Sequence, residues 1–151
     1  MKRHLVAGLA LALGLAAGGA ALAEGGKGTA AQAKAMLERA VAALKADRPA
    51  ALAAFKARAD GFGEGDLYVF CNGLDGASIE HPNPAMAGTN LNTLKDANGK
   101  EFGRIILREA QEGRISTVDY EFPELGGTKP LPKETFFTRI GTLICGVGYY
   151  R

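Results

Sequence analysis

"DLYVFCN", residues 66–72, is where the chain changes period. Leu67, Val69 and Cys71 alternate with Tyr68 and Phe70. Residues two apart in a strand share a face, and the run is rich in β-branched and aromatic types. It therefore reads as a strand with two apolar faces. "NGLDG", residues 72–76, holds two turn signals. Residues 77–80 then form the returning strand of a hairpin.

Upstream the pattern is helical. From Thr29, the apolar residues Met36, Leu37, Ala40, Val41 and Leu44 recur at i, i+3/i+4 spacing. "DRP", residues 47–49, breaks that helix, because proline removes a donor and clashes with the preceding turn. A second helix starts at Asp47 or Arg48, with Pro49 in its first turn and Ala51, Leu52, Phe55 and Ala59 as its stripe. Downstream comes a long polar run, "IEHPNPAMAGTNLNTLKDANGKEF", residues 79–102. A helix follows from near residues 98–100 to the stop at Gly113. "RISTVDYEFP" is a strand, residues 124–132 a flexible loop, and "KETFFTRI" and "TLICGVGYY" two further strands joined at Gly141. The fold class is α+β: an antiparallel sheet with helices on one side.

The N-terminus indicates the compartment. "MKR", then "LVAGLALALGLAAGGA", then "ALA" at residues 21–23 has the form of a secretory signal peptide cleaved after Ala23. The rival is an uncleaved anchor, but the apolar run is short and glycine-interrupted for a span, which needs ~20 residues. The expected organisation is a signal peptide at 1–23, a flexible segment at 24–33 and one domain at 34–151. The whole chain has 18 basic and 16 acidic residues. Residues 1–23 carry Lys2 and Arg3 and no acid, so the remainder is balanced. Nothing in that balance supports binding to nucleic acid or an anionic membrane.

Several separated marks resemble one family. "YVF" with "DG", "HPNP", "GTNL", "KDANGK", "YEFP", Lys133 before the penultimate strand and "GVGYY" follow the order of the single, type-2 Cache domain, from about Lys34 to Arg151. The resemblance implies a PAS-like five-stranded antiparallel sheet with a long N-terminal helix and shorter helices. It implies an extracytoplasmic ligand sensor, often suited to small carboxylates such as acetate, propionate, pyruvate or lactate. It also places the first and last strands side by side, so Cys71 and Cys145 could form a disulfide. The alternative is two separate buried thiols. Cache domains usually lie between membrane helices. No span follows the domain here, so the expectation is a free periplasmic or secreted module whose partner is a membrane receptor or histidine kinase.

The candidate ligand-binding residues are His81, Lys133, Tyr68, Tyr120, Phe122, Met86 and Arg139. Pro82 biases His81 toward extended backbone; its ring either donates to a ligand carboxylate or ties the strand end to the loop. Lys133 is the first candidate cation for a carboxylate, and Arg139 shares its face by parity. Both are otherwise solvated strand charges. Tyr68 shares a face with Phe70, and Tyr120 with Phe122. Such aromatics form either core or the wall of a small polar-ligand pocket. Met86 either closes that pocket with its adaptable side chain or anchors the loop.

No metal or cofactor is implied. "DANG", residues 96–99, lacks the later acids of a calcium loop, and Leu107 stands where its closing glutamate would be. Glu80 and His81 are strand neighbours that point apart, which is wrong for zinc. No catalytic constellation is legible, so an enzyme is not expected. The remaining alternative to a binding module is an accessory protein with a vestigial pocket, acting through contact with a receptor or kinase ectodomain.

Overall fold

The computed structural model describes residues 26–151. The segment read as a signal peptide lies outside the described residues. Helix α1 spans Ala30–Ala46. Thr29 caps it: its hydroxyl accepts from the Gln32 N–H, and the Gln32 side chain accepts from the Thr29 N–H, which satisfies two otherwise orphaned donors. Residues 30–33, expected in a flexible lead, are instead its first turn, and Ala33 is fully buried. Asp47 both ends α1 and starts α2, Arg48–Ala57. Its N–H donates to the Ala43 carbonyl, while its carboxylate accepts from the Ala50 N–H at 3.0 Å. Pro49 falls in the first turn, where no helical hydrogen bond is lost.

Five strands follow: β1 Val69–Gly73, β2 Ser78–Glu80, β3 Ser116–Pro123, β4 Pro130–Ile140 and β5 Leu143–Tyr150. They form one antiparallel sheet in the order β2-β1-β5-β4-β3. The α+β, five-stranded expectation holds. β1 and β5 are adjacent, and Cys71 sits directly opposite Cys145. Their Cα atoms are 4.1 Å apart and the two sulfurs are bonded. The reading as separate thiols is set aside.

The alternation in "DLYVFCN" decides the layering. Leu67, Val69 and Cys71, with Leu143, Cys145 and Val147, pack against α1 and α2. Tyr68 and Phe70, with Tyr120, Phe137 and Ile144, pack against the third helix, α3, Phe102–Glu109. Helices therefore lie on both faces, not one. Both faces of β1 are apolar, so each requires a cover.

Two boundaries differ from expectation for local reasons. α3 starts two to four residues late because Asp96 takes the N–H groups of Asn98 and Lys100 into a turn, a local competitor to helix, and is held by the Glu121 N–H of β3. β4 starts at Pro130, inside the expected loop. Pro130 and Leu131 pair only with β3, since β5 ends opposite Lys133 and its last contact is the Arg151 N–H donated to the Pro132 carbonyl. Prolines are tolerated along such a locally open edge.

Candidate functional site

The α3 face of the sheet does not close completely. Tyr68, just ahead of β1, Phe70 from β1, and Tyr120 and Phe122 from β3 form the floor and sides of a cavity. The polar run between β2 and α3 walls it. The small polar residues of that run serve its own backbone. The His81 Nδ1 accepts from the Asn83 N–H at 2.9 Å, and Asn83 caps a single 3₁₀ turn at Pro84–Met86. Thr89 donates to the Met86 carbonyl at 2.7 Å. Asn90 and Asn92 both donate to the Asp75 carbonyl. At its far end Asp96 and Lys100 fasten the run to β3. These bonds pair backbone groups that an irregular segment would otherwise leave open. Gly103 lets α3 press onto the run: a Cβ there would lie 2.1 Å from the Leu91 carbonyl oxygen.

His81 lines the cavity with its ring against Tyr68 and Phe70, at centroid distances of 5.1 and 5.8 Å. Because Nδ1 is an acceptor, the proton of the neutral ring sits on Nε2. Nε2 makes no hydrogen bond within the described residues. Met86 also lines the cavity, and Phe102 stacks on Tyr120 at 4.0 Å. Lys133 stands immediately behind the wall, only 1% exposed. Its Nζ lies 2.9 Å from the Tyr68 hydroxyl, 3.4 Å from the Tyr150 hydroxyl and 5.4 Å from the Phe122 ring centre. The Tyr120 hydroxyl pairs with Thr135 at 2.9 Å.

Six of the seven expected residues therefore converge: five line the cavity and Lys133 supports Tyr68. Arg139 does not. It shares Lys133's face by parity, but six residues along a strand is roughly 20 Å. Its side chain is exposed, and Nε donates to the Gly141 carbonyl. Parity fixes a face, not a position on it. The sequence reading missed Asn72, Thr89, Leu91 and Phe102 as lining residues. Asn72 carried a signal, since it continues the Tyr68–Phe70 face as a polar residue in a buried strand.

The cavity encloses about 390 Å³ of non-atom space with its mouth included. The centre of a water-sized sphere has only about 20 Å³ to move in, room for about one water. A ligand of a few heavy atoms needs the lining side chains to give way.

Electrostatics follow burial. Burial pushes Lys133 down to about 7, partly offset by Asp66. Burial, with the nearby Lys133 charge, pushes His81 down to about 4. Burial raises Tyr120 to about 12 and Tyr68 well above its ordinary value.

The His81 shift has a stability consequence. The unfolded chain takes up a proton at the ordinary value of 6.5, before the folded one does. Stability from the neutral ring is thus complete above pH 6.5 and lost as pH falls toward 4. The full contribution is about 3 kcal/mol. Urea unfolding at pH 7 and 4.5 should show a loss about 2 kcal/mol larger in the wild type than in His81→Gln. Equal losses would mean that the ring titrates normally in the fold.

The single Cache domain 2 family model matches residues 9–142. The chain belongs to that family. A periplasmic sensor domain of a chemotaxis protein is 30% identical, with a TM-score of 0.61, covering 78% of this Cache domain's chain and 86% of the other. A methyl-accepting chemotaxis protein from Vibrio parahaemolyticus gives a TM-score of 0.66 at 23% identity, covering 80% and 86%. A Cache chemosensory domain described for carboxylic acid recognition gives 0.56 at 22%, covering 78% and 84%. The last two carry the fold alone. No curated protein matches significantly. Cache domains are extracytoplasmic sensor domains that bind ligands and do not catalyse, and the disulfide fits that compartment. Among the described residues no helix is long and apolar enough to cross a membrane.

Proposed function

We propose that this Cache domain binds a short monocarboxylate of the acetate, propionate, pyruvate or lactate class and passes the bound state to a chemoreceptor or histidine kinase. One observation carries the reading: a lysine side chain is buried beside the cavity and, among the described residues, has no carboxylate paired with it, only phenol hydroxyls. An unpaired buried cation is costly unless an anion completes it. The His81 Nε2–H and the Tyr68 hydroxyl are the donors on the cavity side. Lys133 acts from behind Tyr68. Among the described residues no aspartate or glutamate lines the cavity, so the ammonium of an amino acid would be left unpaired. The narrow space favours few heavy atoms. A structural neighbour described for carboxylic acid recognition adds support at the level of fold.

A thermal-shift screen of the protein against those four acids and a set of amino acids tests the reading. One short carboxylate should give a saturable rise in Tm, as expected for any ligand that binds only the folded state, and amino acids should not. A flat response from all of them would favour the accessory reading, for which the narrowness of the cavity is the supporting observation.

A further inference from the structure

The Tyr68 hydroxyl has one proton and two neighbours. Lys133 Nζ is 2.9 Å away on one side, and Tyr68 is itself a lining residue of the cavity. An ammonium has N–H donors and no acceptor. Against it the Tyr68 oxygen must accept, which leaves the O–H to donate forward into the cavity. A neutral amine instead offers a lone pair. Tyr68 can then donate backward, and only oxygen lone pairs face the cavity. The charge on Lys133 thus sets the polarity of the wall that a carboxylate meets.

The other groups around Nζ do not fix that charge. Tyr150 on β5 commits its proton to the Pro123 carbonyl at 2.6 Å, and Glu124 lies near it. Tyr120 on β3 is engaged with Thr135. His81, after β2, is neutral above pH 5. Asp66, ahead of β1, accepts the Gly28 N–H and forms no ion pair with Lys133, although it favours the charged form. Arg58, at the end of α2, adds a second positive charge near Tyr68. Burial leaves both forms of Lys133 populated near neutral pH.

We propose that the cavity takes up its carboxylate together with one proton, which goes to Lys133 Nζ. This rests on the reading of the cavity as a carboxylate site. The proton comes from solvent and bonds to the Nζ lone pair; no bond in the ligand breaks. The filled site, ammonium plus carboxylate, is then net neutral, as a buried site favours. The sensor responds to the product of carboxylate and proton concentrations and is tuned to weakly acidic surroundings.

Isothermal titration with acetate, propionate, pyruvate and lactate, from pH 5.5 to 9 in buffers of different ionisation heat, tests this. Kd should be flat below pH 6 and rise up to tenfold per pH unit above 7. Proton uptake should approach one per ligand near pH 8.5 and vanish near 5.5. His81 titrates below this window, so His81→Gln should keep the slope at whatever affinity it retains; loss of the slope in that variant would overturn the assignment to Lys133. Binding with unchanged Kd from pH 6 to 9 and no buffer dependence would overturn the proton coupling and leave the carboxylate reading standing. No binding of the four acids at any pH would overturn both.

Discussion

Replacing Cys71 and Cys145 together by Ala is expected to lower Tm by about 15 °C. The bridge closes a sequence interval of 74 residues. In the chain-entropy account, a loop of that length contributes about 4 kcal/mol by restricting the unfolded chain. Both sulfurs are completely buried under α1, so the double substitution also removes apolar contact in the core. Alanine leaves no unsatisfied polar atom there, which keeps the effect close to the loss of the cross-link itself. Scanning calorimetry of the oxidised wild type against the double variant measures it. A loss of only a degree or two would mean that the sheet centre is held by β1–β5 pairing alone and that the bridge adds little.

Lys133→Met should separate binding from stability in opposite directions. Removing one charge of a buried, complementary pair weakens binding by about 2–5 kcal/mol; acting through the Tyr68 hydroxyl, Lys133 falls at the lower end, so carboxylate affinity should fall about 30-fold. The fold should gain. In the wild type the unfolded chain binds its lysine proton near the ordinary value of 10.5, whereas folded Lys133 waits until about 7. Stability is therefore lost as pH falls from 10.5 to 7 and is flat below, by up to about 5 kcal/mol for this group. An apolar residue of similar length avoids that loss. At pH 6 the variant should be more stable than the wild type by about 1–4 kcal/mol, and the gap should narrow by pH 9. Denaturant curves at the two pH values and a thermal shift with the best carboxylate are sufficient. A variant that is less stable at pH 6, or that still binds normally, would show Lys133 to be an ordinary structural residue.

The fold was largely legible because its signals are local. The alternation through residues 67–71 assigned two faces to β1, and both surfaces carry the side chains it predicted. The break at Asp47 was legible because one side chain caps α2 while its backbone ends α1. The covering of the second face was misjudged: α3 is short, and the turn around Asp96 takes residues that look helical from their neighbours. Within the site, His81, Met86 and the aromatic pairs were legible from loop position and strand parity, combined with the family marks. Arg139 shows the limit of parity. Leu91 and Phe102 show another limit, because each enters the cavity wall through packing between the loop and α3. No local pattern in sequence encodes that contact. Lys133 was named for its charge, but no local pattern in sequence shows that it is buried.

The strand order has a consequence for biosynthesis. β1 finds its principal partner in β5, the last strand in chain order. Pairing across so long a sequence interval is slow compared with forming local contacts. A chain emerging from its N-terminus can build α1, α2 and the β1–β2 hairpin early, but the middle of the sheet stays vacant until residue 150 has been delivered. During that interval Cys71 is an unpaired thiol on an open strand edge, because its partner Cys145 lies in the last strand. Maturation is thus post-translational by topology. Until the final strand arrives, one sheet edge and one thiol stay open, the kind of partly formed state that is prone to aggregate.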